Sequence, residues 1–106
     1  MRYSDFQGQP NPKAPHEGPL VVTNAVTTLR ALLAGGALQD DTLFVIVTVE
    51  AQPLRLTVNG TAPTATLGFN CLADSERLLS REEADNCKLI RAGGTDSTIQ
   101  VAQYRG

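Results

Sequence analysis

The sequence predicts an all-β protein: an antiparallel β-sandwich of about seven strands, jelly-roll or Ig-like, with one short helix or helical turn and an extended N-terminal arm. Three observations carry this expectation. Short apolar, β-branched runs recur between Gly, Pro, Asn and Asp positions that break or reverse a chain. Only one window shows helical spacing. Two runs, 53–58 and 97–104, alternate as half-buried strands do, since successive side chains of a strand point to opposite faces.

Residues 1–19, "MRYSDFQGQPNPKAPHEGP", hold four of the six prolines and no aliphatic side chain after Met1 except Ala14. Proline fixes φ and has no N–H to donate, so the segment suits neither a helix interior nor a central strand. The expected organisation is an extended arm over 1–19 and a sandwich domain over 20–106. Fully stretched, such an arm spans roughly 60 Å at about 3.3 Å per residue. Tyr3 and Phe6, two of only five aromatic residues, are its candidate anchors on a neighbouring subunit.

"PLVVTNAV" at 19–26 opens the domain with a β-branched run. In "TTLRALLAGGALQDDT", Leu29, Leu32 and Leu33 fall at i, i+3 and i+4 before the stop Gly35-Gly36, which predicts the helical turn. Leu43 to Val49 is almost continuously apolar, as expected of a strand covered on both faces. "PLRLTVNG" puts Leu54, Leu56 and Val58 on one side, and Arg55 and Thr57 on the side that meets solvent or a partner. Asn59-Gly60 favours a tight turn, and Pro63 excludes a central ladder position just after it. "LGFNCL", "LLS", "CKLIRA" and "STIQVAQYR" supply further strands, with "REEADN" as a charged connection. In the last strand Ile99 and Val101 share one face, Ala102 and Tyr104 the other. The expected core is Val21, Phe44, Ile46, Leu54, Leu56, Val58, Leu89, Ile99 and Val101.

Composition narrows function by exclusion. A net charge of -2 with scattered Lys and Arg leaves no basic stripe to follow phosphates, so no direct nucleic-acid contact is expected. No stretch approaches the roughly 20 apolar residues of a membrane helix, and "MRYSDFQGQP" does not read as a secretory signal. Cys71 and Cys87 are then expected as reduced, packing thiols of a cytoplasmically made protein. Two cysteines and a distant His16 lack the spacing of a zinc site. His16 also sits in the arm, a poor place for a general base. Asp40-Asp41 and Glu82-Glu83 are adjacent pairs that diverge on extended backbone and read as solvated turns. "AGGALQDDT" and "AGGTDST" lack the lysine and helix start of a phosphate loop. No catalytic residue, cofactor or metal ligand is expected.

The second half of the chain resembles a pattern found in small all-β virion proteins of tailed bacteriophages. Leu54-Arg55-Leu56 with Val58-Asn59-Gly60 matches its first part, and Thr61, Pro63-Thr64-Ala65-Thr66 and Gly68 its second. Leu89-Ile90-Arg91, Thr95-Asp96-Ser97-Thr98-Ile99 and Val101-Ala102-Gln103-Tyr104 match its last. The sequence departs from it at Asn59, usually acidic, and over 73–77, where a proline or glycine is usual. The resemblance covers about 53–105 and implies a non-enzymatic structural protein in many copies, assembled in the host cytoplasm and residing in the virion. A capsid decoration protein is the first expectation and a neck, collar or tail component the second. Its implied partners are other copies of itself, as a homo-oligomer, and major capsid or neck and tail proteins. A small adhesion or carbohydrate-binding β-module is the other class; it would display exposed aromatics, and Tyr104 is the one candidate on a sheet face. The candidate subunit contacts are thus Tyr3, Phe6, Arg55, Thr57 and Tyr104.

Overall fold

The β-branched runs fold into two antiparallel sheets in the computed structural model, which describes residues 11–12 and 16–105. The strands are β1 (Asn11–Pro12), β2 (Glu17–Val22), β3 (Thr27–Thr28), β4 (Phe44–Ala51), β5 (Leu54–Thr57), β6 (Phe69–Cys71), β7 (Glu76–Ser80), β8 (Lys88–Arg91) and β9 (Ser97–Arg105). One sheet has the order β2-β9-β4-β7, with β1 continuing β2 along the same edge of β9, and the other has β3-β8-β5-β6. From β2 onward every connection except β5 to β6 crosses between the sheets. That is the double Greek key of a jelly roll, which decides between the two expected sandwich types.

The helical window folds as expected, but briefly. Helix α1 (Leu29–Leu32) is capped by the Thr28 hydroxyl, which accepts from the Ala31 N–H at 3.1 Å. A 3₁₀ turn at Ala34–Gly36 follows, with Gly35 at φ 80° ending the run. A second helix, α2 (Arg81–Asp85), occupies the segment read as a charged connection. Its start is a capping box: Ser80 Oγ accepts from Glu83 N–H at 3.1 Å, and Glu83 Oε1 accepts from Ser80 N–H at 2.9 Å. That Ser-x-x-Glu signature stood in the sequence, so one expected helix becomes two.

The core lies between the sheets and contains Leu54, Leu56, Leu89, Ile99 and Val101 as expected. Three expected members face the other way. β4 turns Val45, Val47 and Val49 inward, leaving Phe44 and Ile46 half-buried on the outer face. On β2, Val22 is buried and Val21 is 48% exposed. Val58 packs against the core only partly. The strand 43–49 is therefore covered fully on one face, because a two-layer sandwich has one interior. β2 begins at Glu17, ahead of the expected domain start at 20, and pairs with β9 through Leu20, Val21 and Val22. Its Pro19 is tolerated because β2 is an edge strand. Residues 1–10, with Tyr3 and Phe6, lie outside the described residues.

Leu56→Ala opens a cavity in a fully buried layer and is expected to cost roughly 2–5 kcal/mol. Ile46→Ala, on the outer face, is expected to cost less than half as much. Urea unfolding of both variants at low protein concentration checks the difference; equal losses would contradict the inward phase of Val45, Val47 and Val49.

Candidate interaction surface

The stretch 58–68, "VNGTAPTATLG", is a strap across the outer side of β5. Leu54 and Leu56 point into the core, so Arg55 and Thr57 point out, and the loop uses both. Arg55 Nε donates to the Ala65 carbonyl and Nη1 to the Gly68 carbonyl, each at 3.1 Å. The Thr57 hydroxyl donates to the Thr61 carbonyl. Within the loop, Thr64 Oγ1 accepts from the N–H groups of Thr66 and Leu67, at 3.2 and 3.0 Å, and Asn59 Oδ1 accepts from Thr61 N–H at 3.1 Å. Pro63 is buried. Thr57, expected at the surface, is buried beneath its own loop, and Arg55 is half-buried with donors committed to carbonyls.

Gly68 closes the strap. Its φ is 119°, and a Cβ there would stand 3.1 Å from the Leu56 carbonyl oxygen and 3.3 Å from its nitrogen, backbone atoms that cannot turn aside. The close approach lets the chain enter β6 and pair Phe69 with Leu56. An open cleft of about 310 Å³ beside it is lined by Leu56, Thr57, Val58, Asn59, Gly68 and Phe69. The Arg77 guanidinium lies over the Phe69 ring, 3.9 Å from its centroid, and covers one side of it. Arg77 sits opposite Val47, so on the edge strand β7 it is an inward-facing charge, a device that discourages edge-to-edge pairing.

The outer face of the other sheet is different in kind. Register places Ser80, Phe44 and Tyr104 in one row and Leu78, Ile46 and Ala102 in the next. The Phe44 and Tyr104 rings stack at 5.0 Å between centroids with planes 6° apart. Leu78 is 63% exposed and the preceding-loop residue Leu43 56%. The next row, Glu76, Thr48 and Gln100, is polar, and Gln100 Nε2 donates to Glu50 at 3.2 Å. The result is an apolar patch at one end of a sheet face with a polar border. Of the expected contact residues that are described, Arg55, Thr57 and Tyr104, only Tyr104 lies on it. Phe44, Ile46 and Leu78 escaped the sequence reading, although Thr48 and Glu50, alternating with Val47 and Val49, mark which face of β4 is outward.

The chemical groups elsewhere are dispersed. Cys71 and Cys87 are buried free thiols. Burial raises the pKa of Cys71, partly offset by Arg77 and Arg55. It pushes Cys87 from 9.0 up to about 12, with Cys71 nearby adding to the shift and Arg77 opposing it. His16 is exposed at the start of β2. Arg81 pairs with Asp85 at 3.1 Å and donates to the carbonyls of Gln39, Asp40 and Thr42. Among the described residues no group of three or more His, Cys, Asp or Glu side chains could hold a metal ion, and no helix is long and apolar enough to cross a membrane. Comparisons with family models, curated proteins and solved structures give no match to the chain.

Gly68→Ala and Arg55→Ala both release the strap, and each is expected to lower stability by roughly 1–3 kcal/mol, read as a lower melting temperature. For the thiols, the folded-state pKa lies above the unfolded one, so the folded chain holds protons that the unfolded chain releases. Stability from this source is complete below about pH 9 and falls as pH rises from 9 toward about 12. Cys87→Ala is expected to flatten that decline in urea titrations across the range. A thiol reagent at pH 8 should label neither cysteine until urea is added.

Proposed function

We propose that this chain is a non-enzymatic structural protein of a tailed-bacteriophage particle, a capsid decoration protein that attaches through its sandwich and N-terminal arm. The resemblance over 53–105 suggests the class, and the jelly roll is an architecture used by viral capsid domains among others. The observation that carries the reading is the bordered apolar face formed by Phe44, Ile46, Leu78 and Tyr104, beside the edge where Asn11 and Pro12 pair with β9. A face of this kind serves contact between chains. Beneath it, the 58–68 loop is strapped by Arg55 and Thr57. A sugar-binding module fits less well: Tyr104 is half-buried with a ring face stacked on Phe44, and Phe69 is covered on one side by Arg77.

Mass spectrometry of purified phage particles made by cells carrying the gene tests the proposal. The chain is expected in the particles at a copy number comparable with the major capsid protein. A number matching a single ring would place it at the neck or tail instead, and absence from intact particles would remove the virion role.

A further inference from the structure

Of the chain's five asparagines, Asn59 alone is followed by glycine, and the fold holds that pair exposed at the entry to the strap. The difference is chemical. A backbone nitrogen can attack the carboxamide of the asparagine before it, provided that the nitrogen has a proton to lose and room to approach. Asn11 precedes Pro12, which has no N–H, and Asn24, Asn70 and Asn86 precede Ala25, Cys71 and Cys87, whose side chains crowd the approach. Gly60 has neither obstacle: its φ is 84°, a conformation that suits glycine, and a Cβ built there would meet nothing within 4 Å.

Two hydrogen bonds then act on the pair in opposite senses. Asn59 Oδ1 accepts from Thr61 N–H at 3.1 Å, which closes an Asx turn around Gly60 and draws the carboxamide back over its own backbone. The same donor is aimed at the oxygen that takes up negative charge when a nitrogen adds to Cγ, so it favours the addition. Against this, Gly60 N–H donates to the Asn86 carbonyl at 3.2 Å. That carbonyl lies at the C-cap of α2, and Asn86 is held in turn by its Nδ2, which donates to the Glu82 carbonyl at 3.0 Å. A bond that retains the proton of the attacking nitrogen slows the attack, by roughly two- to tenfold for a hydrogen bond of ordinary net strength. It is a brake and not a block.

We infer that Asn59 is a modification site of the folded protein, deamidated spontaneously through a cyclic imide, and that the Gly60–Asn86 bond controls the rate. The Gly60 nitrogen bonds to Asn59 Cγ, its proton passes through solvent to the departing Nδ2, and ammonia leaves as the succinimide closes. Water then opens the ring at either carbonyl. Cleavage of the new N–Cγ bond leaves aspartate on the original backbone; cleavage on the other side of the nitrogen leaves isoaspartate, with the main chain running through the former side chain. Either product adds one negative charge to a chain of net charge -2, on a wall of the cleft beside Phe69. Aspartate keeps an acceptor for Thr61 N–H. Isoaspartate lengthens the backbone by a methylene and displaces that acceptor, and with it the tie from the Thr57 hydroxyl to the Thr61 carbonyl.

The test is incubation of the full-length protein with reductant at pH 8 in heavy-oxygen water, folded and in urea, followed by peptide mapping, since opening of the imide leaves a heavy oxygen on the converted residue. In the folded chain, conversion is expected at Asn59 ahead of every other asparagine, roughly two- to tenfold slower than in urea. Hydrogen exchange is expected to find the Gly60 amide protected. Ser80→Ala removes the capping box of α2 and slackens the Asn86 carbonyl, so it is expected to speed both Gly60 exchange and Asn59 conversion in the folded chain and to change neither in urea. The isoaspartyl form, separated by ion exchange, is expected to melt below the unmodified chain, and Asn59→Asp to melt close to it. Asn59 left intact after the urea sample has fully converted, or another asparagine converting first in the folded chain, would overturn the site. An unprotected Gly60 amide, or a Ser80→Ala variant that exchanges faster there without converting faster, would overturn the control by Asn86.

Discussion

The structure depends on which side of β4 faces inward. A two-layer sandwich has one apolar interior, and a strand of nearly continuous apolar residues can fill it with only every second side chain. Val45, Val47 and Val49 fill it here. The main chain fixes that choice before the strand begins: Leu43 N–H donates to the Tyr104 carbonyl at 2.7 Å, and Arg81 N–H to the Leu43 carbonyl at 2.9 Å. Leu43 is thus held between the end of β9 and the start of α2. A shift of one residue would turn the three valines out and bring Phe44 and Ile46 in.

Buried polar groups support this anchorage. Gln103, on the inner side of β9, is almost fully buried, and its Oε1 accepts from Thr42 Oγ1 at 2.8 Å and from Gln39 N–H at 2.9 Å. Arg81 holds the same segment from the other side through three carbonyls. A buried amide left without these partners would incur a desolvation cost of roughly 1–3 kcal/mol, so the loop's path and the position of β9 are mutually enforced. Arg55 does equivalent work on the opposite sheet, where it ties 65–68 to β5. Both arginines act through geometry; their several donors in a fixed plane suit rows of carbonyl oxygens.

These internal ties bear on function by division of labour between the two outer faces. One sheet has two of its outward polar groups, Arg55 and Thr57, engaged by the 58–68 strap. The other keeps an apolar end, and the phase of β4 creates it: the residues displaced from the core, Phe44 and Ile46, meet Tyr104, Ala102 and Leu78 from the neighbouring strands. The same choice that completes the core therefore also makes the contact face.

Period-two alternation and turn chemistry were enough to predict the all-β sandwich, the strands β5 and β9, and five core residues, because those signals are local. The leucine spacing before Gly35-Gly36 predicted the first helix, whereas Thr28 and Ser80-x-x-Glu83 are legible as helix starts only in retrospect. The phase of β4 was not set by its apolar run, since an unbroken run carries no period; it was decided by the strands that pair with it and by the one-sided interior. The fate of Arg55 and Thr57 was likewise tertiary: alternation correctly turned them outward, but only the fold brought the chain back over them at 61–68. The Phe44, Ile46, Leu78 and Tyr104 face draws on three strands far apart in sequence. No local pattern joins such residues, and their adjacency comes from the ladder register that places β9 beside β4 and β4 beside β7.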